Sequence, residues 1–197
     1  ELDETGLEYA KRISESSQRM DNLIQELLDY TELTREDVEN EPVDLDKVVD
    51  NSLKDLREMI EKKDAEIDVE DDLPTVMGNK SLLVQVLENL ISNSLKFVEE
   101  DKKPNIEVYS KQMDKKARLY IRDNGIGIKG EYQDKIFKIF ERLYDKNEYP
   151  GTGVGLALVK KGVEQMGGKI GMKSEEGSGS TFWVELDLED IEEKSER

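Results

Sequence analysis

The sequence predicts an α+β fold, in which a mixed sheet of about five strands carries helices on one face and follows an N-terminal coiled-coil helix. Three observations predict it. Apolar residues recur at helical spacing in long blocks, they alternate with polar residues in short blocks, and segments containing glycine or proline separate the blocks. The 197 residues suffice for one sizeable core and a small appendage.

The first segment is predicted to be one long helix, from Thr5 to Thr34. A heptad seam runs along it, formed by Ala10, Ile13, Ser17, Met20, Ile24, Leu27 and Thr31. One such helix needs partners to cover its seam, which favours a helical bundle and a homodimer in a full-length parent. The alternative is an amphipathic helix that packs on its own domain. A charged stretch ending at Pro42 predicts a boundary, giving regions 1–38 and 42–188 and a frayed acidic tail, 189–197.

The second region is predicted to alternate between helices and strands. The helices are Asp44–Lys63 with Asp44 as N-cap, Lys80–Phe97, a short one near Tyr132–Phe140, and one that opens at Gly151–Gly155 and runs to Met166. The strands are Ala65–Val69, Leu73–Gly78, Ile106–Gln112, Ala117–Asp123, Lys169–Lys173 and Thr181–Leu188. This order is typical of a sheet covered by helices on one side.

Composition excludes several functions. The net charge of −18 disfavours nucleic acid and anionic lipid as partners. The absence of cysteine excludes disulfides and thiolate metal sites, and it fits a cytoplasmic location. No run of residues is apolar enough to span a membrane, and no signal peptide is recognisable, so we expect no direct membrane contact. Because the chain opens inside a helical pattern, we interpret it as a fragment whose parent could be membrane-anchored.

A polar stripe crosses the apolar helix Lys80–Phe97. Asn89, Asn93 and Lys96 are spaced so that they share one helical face. Amide oxygens suit Mg²⁺, and a nearby lysine can meet a phosphate. The alternative is a solvated face, which is the commoner explanation of an Asn pair at this spacing.

Three glycine-rich segments complete the candidate site. Residues 123–128 place Asp123 at a strand end, where its carboxylate could accept from an exocyclic amine, with glycines that let the backbone approach a flat ring. Residues 151–156 open a helix, whose free N–H groups could bind an anion. Residues 177–182 join two strands. The alternatives are, respectively, a turn, a loop without ligand and a plain hairpin.

Together and in this order, these motifs resemble the ATP-binding domain of sensor histidine kinases, a two-layer sandwich shared with DNA gyrase, the ninety-kilodalton heat-shock chaperone and the MutL proteins. The resemblance runs from Val43 to Leu188 and includes residues 136–142, which are similar to the family's phenylalanine box. Residues 20–30 resemble the second helix of the dimerisation and phosphotransfer hairpin, and residues 148–153 resemble phytochrome-associated kinases.

The resemblance implies a site for Mg²⁺ and ATP. It implies that Asn93, supported by Asn89, holds the metal, that Lys96 contacts a phosphate, and that Asp123 accepts from the adenine amine. It further implies a lid from Arg142 to Thr152. The remaining implied nucleotide-binding residues are Phe97, Gly125, Gly127, Ile128, Gly153, Val154, Gly155, Leu156 and Thr181. Ser94 stands where the family more often has alanine, a difference to which we attach no role.

Two features refine the implied activity. Related ATPases carry a glutamate where this chain has Asn89, and an amide cannot take a proton from water. Glu88 points about 100° away around the helix. The chain has no histidine, so the phosphoacceptor must lie outside it. We therefore expect a kinase fragment that serves a response-regulator receiver domain. The alternatives are a non-catalytic nucleotide-gated module, a hydrolytic ATPase and a coiled-coil adaptor.

Overall fold

The computed structural model describes residues 3–32, 38–143, 149 and 151–189. The helices are α1 (Glu4–Glu32), α2 (Leu45–Asp55), α3 (Arg57–Lys62), α4 (Lys80–Lys96) and α5 (Gly155–Gln165). The strands are β1 (Glu41–Asp44), β2 (Glu66–Val69), β3 (Thr75–Gly78), β4 (Asn105–Met113), β5 (Lys116–Asp123), β6 (Lys169–Glu175) and β7 (Gly179–Asp187). Within these ranges, every helix is too short or too polar to cross a bilayer.

A five-stranded sheet forms the base of the domain, in the order β2-β4-β5-β7-β6. Strands β2 and β4 pair in parallel, whereas the other neighbours are antiparallel, so the sheet is mixed as predicted. Alternate residues of β4, β5 and β7 are buried, for example Ile106 and Val108 on β4. This alternation sets one face of the sheet against the helices.

Helices α2, α4 and α5 cover that face, with α4 packed between the other two. The buried side chains of α4 recur at helical spacing: Leu82, Leu83, Val86, Leu87, Leu90, Ile91, Ser94 and Leu95. Burying each large apolar side chain contributes about 1.5–3 kcal/mol, so this helix is central to the stability of the domain. The predicted sandwich with helices on one face is confirmed.

A second, two-stranded sheet pairs β1 with β3 in antiparallel register. Strand β1 was not predicted, because it has four residues and includes Pro42. Asp44 ends β1 and caps α2, since its carboxylate accepts from the backbone N–H of Asp46 at 3.0 Å. The predicted N-cap is therefore confirmed.

Two predicted helices differ from the structure. The helix predicted from Asp44 to Lys63 is divided at Leu56 into α2 and α3. The prediction of a helix at Tyr132–Phe140 was wrong. A 3₁₀ helix at Gly130–Tyr132 is followed by turns. The Phe140 N–H donates to the Gly153 carbonyl at 2.9 Å, and Phe140 has φ of +65°. This tertiary contact replaces the hydrogen bonding of a regular helix.

Helix α1 contacts α5 with one side and leaves much of its apolar seam exposed. Ile13, Met20 and Ile24 are each more than half exposed. The exposed seam agrees with the predicted pattern, and dimerisation through it stays a prediction. Thr34 and the predicted tail beyond residue 189 lie outside the described residues.

The face of the sheet away from the helices carries aromatic and charged side chains. The rings of Tyr109 and Tyr120 stack with centroids 4.9 Å apart. The Arg118 guanidinium lies 4.3 Å from the centre of the Trp183 ring, and its Nε donates to Glu185 at 2.6 Å. A Cβ on Gly171 would lie 2.1 Å from the Trp183 ring, so the indole rests directly on this glycine.

Candidate functional site

The polar stripe of α4 faces the N-terminus of α5. The Asn89 amide nitrogen donates to the Gln85 carbonyl at 2.9 Å, which turns its oxygen outwards. A Cβ on Gly155 would lie only 2.6 Å from that oxygen, so a glycine is needed where α5 begins. Asn93 is half-buried one turn further along α4, and among the described residues its side-chain amide has no hydrogen-bond partner.

Lys96 ends α4 close to the segment that precedes α5. A Cβ on Gly151 would lie 2.5 Å from the Lys96 Nζ, and the same Nζ lies 4.5 Å from the centre of the Phe97 ring. Burial and the neighbouring Arg142 lower the pKa of Lys96, whereas Glu26 of α1 opposes this change. The lysine is therefore a partly desolvated cation held near a glycine loop. The Phe97 ring in turn contacts that of Tyr149, with ring centroids 5.2 Å apart and the planes tilted by 38°.

Asp123 lies at the end of β5 and is tied to three elements. Its Oδ1 accepts from the backbone N–H of Gly125 at 2.9 Å and of Ser180 at 3.0 Å. Its Oδ2 faces α4, where the Ser94 hydroxyl lies at 3.3 Å. Burial raises the pKa of Asp123, and these hydrogen bonds oppose the increase. The two backbone N–H groups thus fix the carboxylate through Oδ1, and Oδ2 can still accept a further hydrogen bond.

The glycine segment after β5 forms one wall of this region. A Cβ on Gly125 would lie 2.4 Å from the Phe97 carbonyl oxygen, which itself accepts from the Ile126 N–H at 2.9 Å. Gly127 has φ of +69°, which favours glycine, and it lies against the Glu175 backbone. The Ile128 N–H donates to the Ser174 hydroxyl at 2.8 Å. The wall is therefore joined to both α4 and the β6–β7 turn.

Helix α5 begins without a side-chain cap. Its N-cap is Val154, which is fully buried, and Leu156 packs partly buried against the core. Gly153 has φ of +80° and precedes them. The first backbone N–H groups of a helix have no partner inside the helix, and the aligned peptide dipoles favour an anion there. This end of α5 can therefore hold a phosphate beside Asn89 and Lys96.

The predicted lid is only partly described, because residues 144–148 and 150 lie outside the described residues. The Arg142 Nη2 donates to the Tyr149 carbonyl at 3.1 Å. The Thr152 hydroxyl donates to the carboxylate of Glu26, which comes from α1. Glu26 was not predicted as part of the site, since 126 residues separate it from Thr152.

Thr181 lies on the side of β7 away from the helices. Buried Phe182 and Val184 point from β7 towards the helices, so Ser180 shares their face and Thr181 lies on the opposite one. Its place at the adenine end stays a prediction. Thr181 pairs in register with Arg122 and Lys173. Ser180 lies next to Asp123: its N–H donates to the Asp123 carboxylate, and its hydroxyl lies 2.9 Å from that of Ser174. The alternation of β7 could have identified it from the sequence.

Glu88 points away from the site. Burial and the nearby carboxylate of Asp55, at the end of α2, both raise the pKa of Glu88. The helical turn between neighbouring residues thus directs Glu88 towards α2 and Asn89 towards α5. The acid next to the polar stripe is not placed to act on a molecule bound there.

The donor set fits a nucleotide with a divalent cation. An amide oxygen near a helix N-terminus, a second amide that has no partner in the described part of the chain and a partly desolvated lysine suit a metal-bound polyphosphate. A half-buried carboxylate whose second oxygen has remaining acceptor capacity, next to glycines, suits an exocyclic amine on a flat ring. These groups lie along one helix, α4, and on the segments that touch it.

Known proteins of similar sequence were found over most of the chain. The family described as histidine kinase-, DNA gyrase B-, and HSP90-like ATPase matches residues 78–190, more than half of the chain. The phytochrome-like protein Cph1 of Synechocystis sp. is 36% identical over 95% of this chain and 25% of its own length. Sensor histidine kinase AruS of Pseudomonas aeruginosa is 41% identical over 56% of this chain and 12% of its own length. The chain spans about a quarter of the length of the phytochrome-like relatives it matches.

Solved structures of similar fold include full-length ShkA in complex with AMPPNP, with a TM-score of 0.75 and 26% identity over 95% of this chain and 40% of that one. The mycobacterial sensor histidine kinase MprB has a TM-score of 0.65 and 29% identity over 76% of this chain and 97% of that one. Histidine kinase ThkA in complex with the response regulator TrrA has a TM-score of 0.71 over 95% of this chain and 53% of that one; at 24% identity it shows the fold alone. The chain therefore belongs to the histidine kinase-, DNA gyrase B- and HSP90-like ATPase family, in which its relatives are sensor histidine kinases.

Proposed function

We propose that this chain is the catalytic part of a sensor histidine kinase, which binds Mg²⁺ and ATP and transfers the γ-phosphate to a histidine outside this chain. One observation carries the proposal. Helix α4 meets the glycine segment after β5 through Phe97, the segment before α5 through Lys96, and α5 itself through Asn89. Ser94 of the same helix lies beside Asp123. A single cleft along α4 would therefore bring all the proposed binding groups to one ligand.

At the base end, Asp123 would accept from the adenine amine. Guanine presents a carbonyl oxygen at the equivalent position, which would repel the carboxylate. Gly125 and Gly127 would form the wall beside the flat ring. A Cβ on either would collide with the backbone of Phe97 or Glu175, so glycine lets this segment pack there. This arrangement supports a preference for ATP over GTP.

At the phosphate end, Lys96 and the N-terminus of α5 would bind and orient the phosphates. Asn93 would hold Mg²⁺, supported by Asn89, and the cation would supply charge neutralisation for the transferred phosphoryl group. Phosphoryl transfer needs mainly positioning and electrostatic stabilisation, and these residues could provide both.

Transfer rather than hydrolysis is supported by the two neighbouring side chains of α4 that could have activated a water, Asn89 and Glu88. Asn89 cannot take a proton, and Glu88 faces Asp55 instead of the site. An attacking water would therefore remain unactivated by these two residues. The acceptor histidine must come from elsewhere, because the chain has none. By analogy with ThkA, whose complex contains the response regulator TrrA, we propose a receiver-domain aspartate as the next acceptor.

The test is to add the missing hairpin helix with its histidine, in cis or in trans, and to supply γ-labelled ATP. We expect labelled protein phosphate that is labile in acid and stable in alkali, and little free phosphate. Asn93→Ala should abolish the labelling. Free phosphate without labelled protein would instead favour the hydrolytic ATPase, and nucleotide binding without either product would favour the nucleotide-gated module.

A further inference from the structure

Helix α1 contributes a carboxylate to the phosphate end of the site. Glu26 is half-buried on α1, and its Oε2 accepts from the Thr152 hydroxyl. Thr152 lies two residues before Val154, the N-cap of α5, and its Oγ1 also lies 3.4 Å from the Val154 N–H. The contact therefore fixes the segment that leads into the free N–H groups of α5.

The same carboxylate acts on Lys96. Burial and Arg142 disfavour the charged form of Lys96, and Glu26 is the group that opposes them. Both cations lie close to the segment that contains Thr152, because the Lys96 Nζ faces Gly151 and the Arg142 side chain faces Gly153. Glu26 is thus an acidic member of a cluster whose other described members, Lys96, Arg142 and Thr152, are cations or hydrogen-bond donors.

We propose that Glu26 is a positioning residue of the nucleotide site, contributed by α1, and that its carboxylate competes with the phosphates of the nucleotide for Thr152 and Lys96. The inference rests on the proposed nucleotide site. A carboxylate and a polyphosphate cannot share one lysine and one hydroxyl without mutual repulsion. Nucleotide binding therefore displaces Glu26 from the cluster.

The competition links α1 to the nucleotide in both directions. If a nucleotide weakens the Glu26 contact, then any change that draws α1 away from α5 must strengthen nucleotide binding by the same factor. The exposed apolar seam of α1 is where such a change could begin. A partner that covers Ile13, Met20 and Ile24 would bind the same helix that carries Glu26 and could move it. The site is therefore sensitive to the position of α1.

The charge of Glu26 is tested by Glu26→Gln, which keeps a hydrogen-bond acceptor for Thr152 and removes the repulsion. We expect the variant to bind a non-hydrolysable ATP analogue with Mg²⁺ about three- to tenfold more tightly at low salt, and the gain to shrink at high salt. Asp21→Asn is the matched control, since it makes the same charge change at an exposed position of α1 and should leave the affinity unchanged. Equal affinities for Glu26→Gln and the control, or weaker binding by Glu26→Gln, would overturn the proposal.

The contact itself can be tested without nucleotide, because the chain has no cysteine. A variant with both Glu26→Cys and Thr152→Cys should be cross-linked by a short bifunctional thiol reagent. The control combines Asp21→Cys with Thr152→Cys. Asp21 lies about 7.5 Å along the helix axis from Glu26 and on a different side, so this pair should not be linked.

The outcomes separate the two proposals. Cross-linking supports the contact between α1 and the segment before α5, and no cross-linking overturns it. The competition is decided by Glu26→Gln, because the cysteine pair lacks both the carboxylate and the hydroxyl. If the wild-type protein binds no nucleotide at all, the proposed function fails, whatever the cross-linking shows.

Discussion

The two ends of the candidate site are built differently. At the base end, Asp123 lies half-buried between β5, β7 and α4, and its hydrogen bonds come from residues in or next to those elements. At the phosphate end, Lys96, Arg142 and Thr152 are also half-buried, but two of them belong to the segment between β5 and α5. The base end is therefore fixed by the core, whereas the phosphate end depends on loops, on α1 and on a cation. This difference predicts that base recognition is rigid and that phosphate binding is adjustable.

The largest effect should come from Asp123→Asn. The Asn oxygen can accept from Gly125 and Ser180 and its amide can donate to Ser94, so the fold should be retained. The adenine amine would then face a donor, and we expect ATP binding to weaken by about 1–3 kcal/mol, roughly ten- to a hundredfold. A titration beside Asp68→Asn, an exposed acid on β2, measures this. Unchanged affinity for ATP would refute the base end as we describe it.

Gly155→Ala tests the junction of α4 and α5. A Cβ at this position would lie 2.6 Å from the Asn89 oxygen, so the amide must move and the phosphate groups lose their alignment. We expect nucleotide affinity to fall about tenfold while the protein stays folded. Gly130→Ala is the control, because a Cβ there meets no atom within 4 Å. Equal affinity in both variants would show that the start of α5 does not bind the nucleotide.

Much of the fold and of the candidate site could be predicted from the sequence, and the residues that were missed have physical reasons. The polar stripe on α4 and the cap at Asp44 follow from local spacing alone. Ser180, whose N–H donates to Asp123, was not predicted because the alternation of β7 was not applied to this strand. Glu26 could not have been found, since its contact with Thr152 depends on how α1 packs on the domain. Local patterns predict elements and motifs, whereas long-range contacts depend on the whole fold.

Asn93→Ala tests whether the phosphate end depends on a Mg²⁺ held by Asn93. The Asn93 amide has no partner among the described residues, so its loss should not disturb the fold. We expect binding of ATP to become about five- to tenfold weaker in the presence of Mg²⁺ and to lose its dependence on Mg²⁺. Titrations with and without Mg²⁺ decide the point. A dependence that survives in the variant would place the metal elsewhere.

The smallest effect should come from Ser94→Ala, because the Ser94 hydroxyl also lies 3.1 Å from the Leu90 carbonyl and its bond to Asp123 is long. We expect roughly threefold weaker ATP binding at neutral pH. The matched control is Ser52→Ala, a buried serine that donates to the carbonyl four residues earlier but touches no carboxylate.

The same variant should change the pH dependence of binding. Burial raises the pKa of Asp123, and the ionised form accepts from adenine, so affinity is complete above this pKa and is lost as the pH falls through it. Since Ser94 holds the pKa down, Ser94→Ala should shift this loss to higher pH. Asp123→Asn provides the baseline that subtracts titration of the nucleotide itself. Superimposable profiles for Ser94→Ala and the wild type would show that Ser94 does not act on the carboxylate.

The chain has a single tryptophan, Trp183, which lies on Gly171 and beside Arg118 on the side of the sheet away from the helices. Its intrinsic fluorescence should therefore stay constant when a ligand enters along α4. A spectral change on ligand addition would mean that ligand binding on one side of the sheet deforms the other side. The emission of Trp183 would then report a deformation of the sheet and not the occupancy of the site.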